Sequence, residues 1–406
     1  MGNLLVGQSG GPTSVINSSL YGVISAAFES NSYDKILGMV NGIEGFLKES
    51  ILDFDTITDE EIKLLRTTPG SYLGSCRYKL PENLSDDIYP EIFKLLDKYN
   101  ISAFVYIGGN DSMDTVSKLS QHATQINSDI QFIGVPKTID NDLVLTDHTP
   151  GFGSAAKFVA SMVREISRDT SVYDRKTVTI IEIMGRNAGW LTASSVLARQ
   201  FKEDNPVLIY LPESDFDEDA FINSIENAFK KKNNLTVCVS EGIHLSDGSL
   251  VCENTGDMII DSFGHKIMNG CGKYLENLVR NRLNVKVRSV ELNVAQRCAS
   301  AYLSKTDVDE AEALGRFGIT AALDGKTGCM TAVFRENSEN YKAGYSIVDV
   351  TKVCNMEKCV PESWITKNGT DISDDFIKYA LPLIQGFVEI PKKDGLPYFA
   401  YRKTNN

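Results

Sequence analysis

The chain has 406 residues, 42% of them hydrophobic and 23% charged, and a formal net charge of −13. The length exceeds the usual single domain, the composition is that of an ordinary soluble globular protein, and no stretch approaches the roughly 20 apolar residues that span a bilayer. The acidic balance argues against sequence-independent attraction to nucleic acid or an anionic membrane, and a site for anionic substrates would have to concentrate Arg and Lys locally, helped by a divalent cation.

The segment Met1-Gly2-Asn3-Leu4-Leu5-Val6-Gly7 has no basic stretch before its apolar run. It reads as a first strand and not as a secretory leader, which makes the cytoplasm the expected location. Strand-length apolar runs recur at 36–40, 103–107, 130–135, 178–183, 207–211, 235–240 and 285–292. Helix-patterned stretches lie at 14–29, 88–99, 113–125, 154–168, 188–201, 217–232, 265–282 and 307–323. This alternation predicts an α/β protein with mostly parallel sheets. A second α/β unit is expected to begin near residue 151, and the segments after about 295 are too short for a third domain, so they return to complete the first two. Eight cysteines (76, 238, 252, 271, 298, 329, 354, 359) form no CxxC pair and only four histidines accompany them, so reduced thiols are expected and zinc is not.

Several strand ends carry chemistry-bearing residues. Leu4-Leu5-Val6 runs into Gly7-Gln8-Ser9-Gly10-Gly11-Pro12-Thr13 and then a helix pattern, which fits either a phosphate cradle or a structural tight turn. A second such junction is Gly108-Gly109-Asn110-Asp111-Ser112, where Asn110, Asp111 and Asp114 could hold magnesium or simply cap a helix. The densest cluster, Pro136-Lys137-Thr138-Ile139-Asp140-Asn141-Asp142, follows an apparent strand, where open α/β sheets bind ligands. If the backbone there stays extended, Thr138, Asp140 and Asp142 share one side and Lys137, Ile139 and Asn141 the other; Pro136 and the Asn and Asp residues equally fit a solvated turn. Met184-Gly185-Arg186 and Glu241-Gly242 end further strands, and Arg186, Arg288 and Arg297 are candidate clamps for a phosphomonoester. Gly325-Lys326-Thr327 lacks the first glycine of a phosphate-binding P-loop. Gly151-Phe152-Gly153-Ser154-Ala155-Ala156 matches a dinucleotide fingerprint but has no strand before it.

Taken in order, Gly10-Gly11, Gly74-Ser75-Cys76-Arg77, Gly108 to Ser112, Pro136 to Asp142, Met184 to Arg186, Pro212-Glu213, Glu241-Gly242 and Gln296-Arg297 resemble the phosphofructokinase family, and specifically its pyrophosphate-dependent branch. The resemblance covers about the first 300 residues. It implies two Rossmann-like domains with the active site in the cleft between them. Residues 1–150 plus about 296–345 would bind pyrophosphate, and residues 151–295 plus about 346–406 fructose 6-phosphate. By resemblance Asp140 is the catalytic base, assisted by Lys137. Gly11, Arg77, Gly109, Asp111, Ser112 and Lys137 would hold pyrophosphate. Thr138, Asp140, Asp142, Met184, Gly185, Arg186, Glu241, Arg288 and Arg297 would hold the sugar phosphate, with Arg288 reaching across from a neighbouring subunit of a homodimer or homotetramer. Mg²⁺ is the implied cofactor, at Asn110 and Asp111.

The sequence departs from the family at Asn110, where the family carries an acid, at Lys176-Thr177, where it carries a second intersubunit arginine, and at Val294, where it carries His. Tyr21 and Ser25 replace effector-binding arginines, so no effector control of that kind is expected. Asp111 stands where ATP-using relatives have glycine, and Lys137 replaces a small residue, which favours pyrophosphate over ATP. The competing readings are an ATP-dependent 6-phosphofructokinase, a nucleotide-linked oxidoreductase and a non-catalytic regulatory subunit.

Overall fold

In this computed structural model, residues 2–172, 174–251, 259–260, 266–267 and 270–402 are described. Cys252 and part of the start of the helix expected over 265–282 lie outside them. Strands β1 (Asn3–Gln8), β2 (Ile36–Met39), β3 (Ile51–Asp53), β4 (Ile101–Gly108), β5 (Gln131–Pro136), β6 (Thr177–Ile183), β7 (Leu208–Tyr210), β8 (Asn234–Ser240), β9 (Lys286–Glu291), β10 (Cys329–Arg335) and β11 (Ala343–Asp349) build two sheets. The first has seven strands in the order β11-β10-β5-β4-β1-β2-β3, the second four in the order β9-β6-β8-β7. Every pairing in the second sheet is parallel, as are those joining β2, β1, β4, β5 and β10 in the first. Central parallel strands are covered on both faces, so their sequences read as unbroken apolar runs.

The pairs β2–β3 and β10–β11 are antiparallel and close the two edges of the first sheet. The edge strands β3 and β11 were not anticipated, because part-exposed strands such as Ala343–Asp349 mix polar and apolar residues and raise no continuous signal, and β10, buried over Cys329–Val333, was missed because Thr331 interrupts its apolar run. The helix expected over 188–201 is shorter, an α-helix at Trp190–Ser194 followed by a 3₁₀ turn at Ser195–Ala198. Thr192, Ser194, Ser195 and Val196 are weak helix formers, so the apolar spacing there did not guarantee a regular helix.

The principal helices around the site are α1 (Ile16–Ser30), α2 (Asn110–Gln125), α3 (Phe152–Thr170), α4 (Cys271–Leu283) and α5 (Lys305–Leu323). Backbones of α1 and α5 meet through reciprocal glycines: a Cβ on Gly22 would lie 2.1 Å from the Glu312 carbonyl, and one on Gly315 2.2 Å from that of Ser19. Thus anchored, α5 delivers Asp307 to the start of α3, where its carboxylate accepts from the Gly151 and Ser154 amides at 2.9 and 2.8 Å. The dinucleotide-like glycine turn is therefore an anion site filled by the chain's own carboxylate. Aromatic packing of Trp190, Trp364, Phe376 and Tyr379 seats residues 362–380 beside the second sheet. The Ala400 amide then returns to Thr68 Oγ1 at 2.9 Å. Among the described residues no helix is long and apolar enough to cross a membrane.

Just before α3, buried His148 places Nδ1 2.9 Å from Asp147 and Nε2 2.5 Å from Glu310. Arg335 bonds the Asp147 carboxylate at 2.9 Å, and Tyr341 donates to Glu310 at 2.5 Å. Burial works against a charged ring, but Glu310 and Asp147 outweigh it and push the His148 pKa up to about 9. A group raised in this way stabilises the fold fully below the unfolded value of about 6.5 and loses that contribution as pH rises through its folded value. We therefore expect the melting temperature to fall between about pH 6.5 and 9. His148→Gln should be less stable at pH 7 by about 3 kcal/mol and should lack that component of the fall. Parallel melting curves for the two proteins across this range would remove the assignment.

Candidate active site

The carboxyl ends of β1, β4 and β5 meet in one crevice. Gly10 turns the chain after β1 with φ 77°, a left-handed conformation suited to glycine. A Cβ on Gly11 would stand 3.2 Å from Arg297 Nη1, so the bare backbone permits close approach. After β4, Gly109 precedes α2, whose first turn carries Asn110, Asp111 and buried Ser112. Ser112 packs against Gly108, where a Cβ would lie 1.9 Å from its Oγ. Ser75 donates to the Gly10 carbonyl at 2.7 Å, which brings the turn carrying exposed Arg77 alongside.

Lys137 leaves β5 buried, with its amide on the Gly108 carbonyl at 2.9 Å and Nζ donating to the Gly11 carbonyl at 2.7 Å. One side chain thus links both glycine turns. Burial depresses the Lys137 pKa to about 8, although Asp140, Asp142 and Asp111 favour the cation. Asp140 keeps a face toward the crevice, and its amide donates to Thr138 Oγ1 at 3.0 Å. Burial and the neighbouring Asp142 raise Asp140 to about 7 against the pull of Lys137. Burial likewise raises Asp142.

The extended, two-sided alternative for this segment does not form. Asn141 has φ 55°, so the chain turns there, and Lys137 and Asp140 act on each other instead of facing apart. The turn is held by the Asn141 side chain, whose Nδ2 donates to Tyr379 Oη at 2.9 Å and whose Oδ1 accepts from the Thr149 amide at 3.0 Å. Tyr379 in turn donates to the Asp147 carbonyl at 2.7 Å, under the Arg335 guanidinium 4.6 Å from its ring.

From the second sheet, the turn after β6 meets the turn after β8. Gly185, at φ 138°, gives its amide to Glu241 at 3.2 Å, and its carbonyl accepts from Ser240 Oγ. A Cβ on Gly242 would lie 1.8 Å from the Arg186 carbonyl, so the two turns interlock through glycine. Gln296 receives the Met184 amide at 3.2 Å and brings Arg297 toward Asp140 and Lys137. Arg297 Nε is buried without a hydrogen-bond partner. Burial raises Glu241 to about 7, helped by Asp140 and Glu182.

The structure therefore assembles Gly11, Gly109, Ser112, Lys137, Thr138, Asp140, Asp142 and Arg297 in one crevice, with Met184, Gly185, Arg186 and Glu241 forming the interlocked turns of the second sheet. Arg288 stands apart on the edge strand β9, partly exposed and 3.6 Å from Asp169. Asn110 lies at the crevice, but its amide is engaged by the backbone of residues 355 and 356, at 2.6 Å for each bond. Among the described residues no group of three or more His, Cys, Asp or Glu side chains is arranged to hold a metal ion by itself. Asn141, Tyr379 and Lys358 escaped the sequence reading. Lys358 sits in a stretch without a motif, and it gives its amide to the Asp142 carbonyl at 2.7 Å and its Nζ to those of Thr146 and Asp147 at 3.1 and 2.9 Å.

The chain belongs to the phosphofructokinase family, whose sequence model matches residues 3–315. Within it, the chain is 39% identical over 407 residues to the pyrophosphate–fructose 6-phosphate 1-phosphotransferase of Xanthomonas campestris pv. campestris, covering 99% of this chain and 96% of that one. The enzyme of the same name from Halomonas elongata is 38% identical, over 98% of this chain and 95% of its own. The crystal structure of a pyrophosphate-dependent phosphofructokinase from Marinobacter aquaeolei superposes with a TM-score of 0.89 at 35% identity, covering 98% and 96% of the two chains.

The Asn141 turn generates a test. Asn141→Ala removes both side-chain bonds and adds the cost of a left-handed residue, about 2–4 kcal/mol together. The expected result is a lower melting temperature and a greater loss of turnover than Tyr379→Phe produces. Equal turnover in Asn141→Ala and the unmodified protein would show that the turn does not depend on this side chain.

Proposed function

We propose that the protein transfers a phosphoryl group reversibly between pyrophosphate and the C1 hydroxyl of fructose 6-phosphate, giving fructose 1,6-bisphosphate and phosphate. The observation that carries this reading is the placement of Lys137: it spans both glycine turns of the first sheet and stands beside Asp140. Residues 1–150 plus about 296–345 are the donor unit, and residues 151–295 plus about 346–406 the sugar unit.

Asp140 takes the C1 hydroxyl proton as that oxygen attacks the terminal phosphorus; the phosphorus–bridging oxygen bond breaks and phosphate leaves. A carboxylate raised to about 7 is well matched to proton transfer near neutral pH. The Lys137 ammonium neutralises charge on the leaving phosphate, and positioning with electrostatics suffices without a covalent intermediate. Gly11, Arg77, Gly109 and Ser112 bind the donor. Thr138, Asp142, Met184, Gly185, Arg186 and Glu241 bind the sugar, and Arg297, with its unpartnered Nε, takes the 6-phosphate. Arg288, on the open edge of the second sheet, serves the neighbouring site of a homodimer or homotetramer.

Magnesium is ordinarily held by one or two carboxylates together with substrate phosphates, and it neutralises phosphoryl charge when bound. Exposed Asp111 and half-buried Asp142, both of which act on Lys137, are the carboxylates that would hold it. Asp111 also repels the additional phosphate of a nucleotide donor.

Two outcomes follow. Asp140→Asn should lower kcat by about 10²–10⁴ while leaving the KM for fructose 6-phosphate within a few fold; near-normal kcat would reject Asp140 as base. Assayed with magnesium and either donor, the unmodified protein should use pyrophosphate. Asp111→Gly should shift the ratio of kcat/KM values toward ATP, and Lys137→Ala should cripple the pyrophosphate reaction. Robust ATP activity without pyrophosphate activity in the unmodified protein would overturn the donor assignment.

A further inference from the structure

Six consecutive residues, 355–360, make hydrogen bonds to the start of α2, to the loop after Asp140 and to the turn after β6. Asn110 Oδ1 accepts from the Asn355 amide and Asn110 Nδ2 donates to the Met356 carbonyl, each at 2.6 Å. Both partners are backbone atoms of fixed polarity, so the orientation of the Asn110 amide is set by the contacts themselves. Asn355 Nδ2 reaches Asp114, one turn further along α2, at 3.4 Å. Glu357 then accepts from Asn187, the residue after Arg186, at 3.2 Å. The Lys358 amide meets the Asp142 carbonyl at 2.7 Å, and its carbonyl accepts from Trp190 Nε1 at 2.8 Å. Finally the Val360 amide joins the Gly189 amide on Glu213 Oε1, each at 2.8 Å.

These contacts run without interruption from the glycine turn of the first sheet, across the Asp140 loop, to the Gly185 turn of the second. We propose that residues 355–360 are a strap that registers the donor turn against the catalytic loop and the sugar turns, and that Asn110 is the positioning residue clamping its first end. An amide suits that role because it offers one acceptor and one donor to a peptide N–H and C=O. An aspartate would set a carboxylate against the Met356 carbonyl and repel it. The metal is then left to carboxylates elsewhere in the crevice. Only the kinetic part of this inference rests on the pyrophosphate reading; the strap itself is a structural claim.

The test compares the unmodified protein with Asn110→Asp, Asn110→Ala and Asn187→Ala, the last releasing the middle of the strap at Glu357 from an exposed position. Amide hydrogen exchange at residues 355–360 should accelerate by about tenfold or more in all three, as for a segment losing one or two hydrogen bonds. KM for pyrophosphate should rise severalfold, in Asn187→Ala as well, although that residue lies on the opposite unit. The magnesium concentration giving half-maximal rate should not fall in Asn110→Asp. Unchanged strap exchange in Asn110→Asp or Asn187→Ala, or a lower magnesium requirement in Asn110→Asp, would overturn the proposal. Absence of pyrophosphate activity in the unmodified protein would instead strike the functional reading, and the exchange measurements would still decide the strap.

Discussion

A buried ammonium beside carboxylates is expensive unless its charge is answered from several directions, and the crevice is organised around meeting that condition for Lys137. Its Nζ has the Gly11 carbonyl at 2.7 Å and the fields of Asp140, Asp142 and Asp111 around it. Those partners come from three strand ends, so β1, β4 and β5 must keep their parallel register for the charge to be tolerated. The same proximity moderates the carboxylates: Lys137 pulls down on Asp140, which burial and Asp142 would otherwise raise further. Fold and reactivity therefore depend on one set of distances.

The stretch that leads from this charge cluster into α3 is held by side chains that belong to no recognisable motif. Asp307 on α5 caps α3, Glu310 on the same helix holds His148, and Tyr379 reaches the Asn141 turn from the C-terminal region. Since α5 is pressed against α1 through Gly22 and Gly315, that helix pair fixes where α3 begins. Buried polar links of this kind are stringent, because each leaves a costly unsatisfied group if its partner shifts.

Legibility in the sequence followed burial. Ile101–Gly108 and Thr177–Ile183 lie in the interior of parallel sheets and announced themselves as apolar runs, and the glycine turns and charged cluster at strand ends were visible because few other folds need glycine and carboxylate there. Strand Ala343–Asp349 was invisible, since a strand at a sheet edge needs no continuous apolar pattern. The sequence left this segment open between an extended run and a turn, because a left-handed asparagine is decided by tertiary partners, here Tyr379, 238 residues away. Lys358 was obscure for a related reason: its bonds go to backbone atoms, which leave no compositional trace.

The net charge of −13 is compatible with anionic substrates because the crevice is locally unlike the rest of the surface. Repulsion between exposed charges farther apart than about 10 Å is largely screened at ordinary ionic strength, so distant carboxylates weigh little beside Lys137 and Arg297. Within the crevice the balance is finer. An asparagine at 110 removes a carboxylate from the start of α2, while Asp111 restores one a single position further on, where the side chain is exposed. The Asn110 amide is clamped to the peptide at 355–356, while the Asp111 carboxylate stays exposed beside it. A carboxylate at 110 could not both accept from the Asn355 amide and donate to the Met356 carbonyl, so the amide side chain and its contact with residues 355–356 go together.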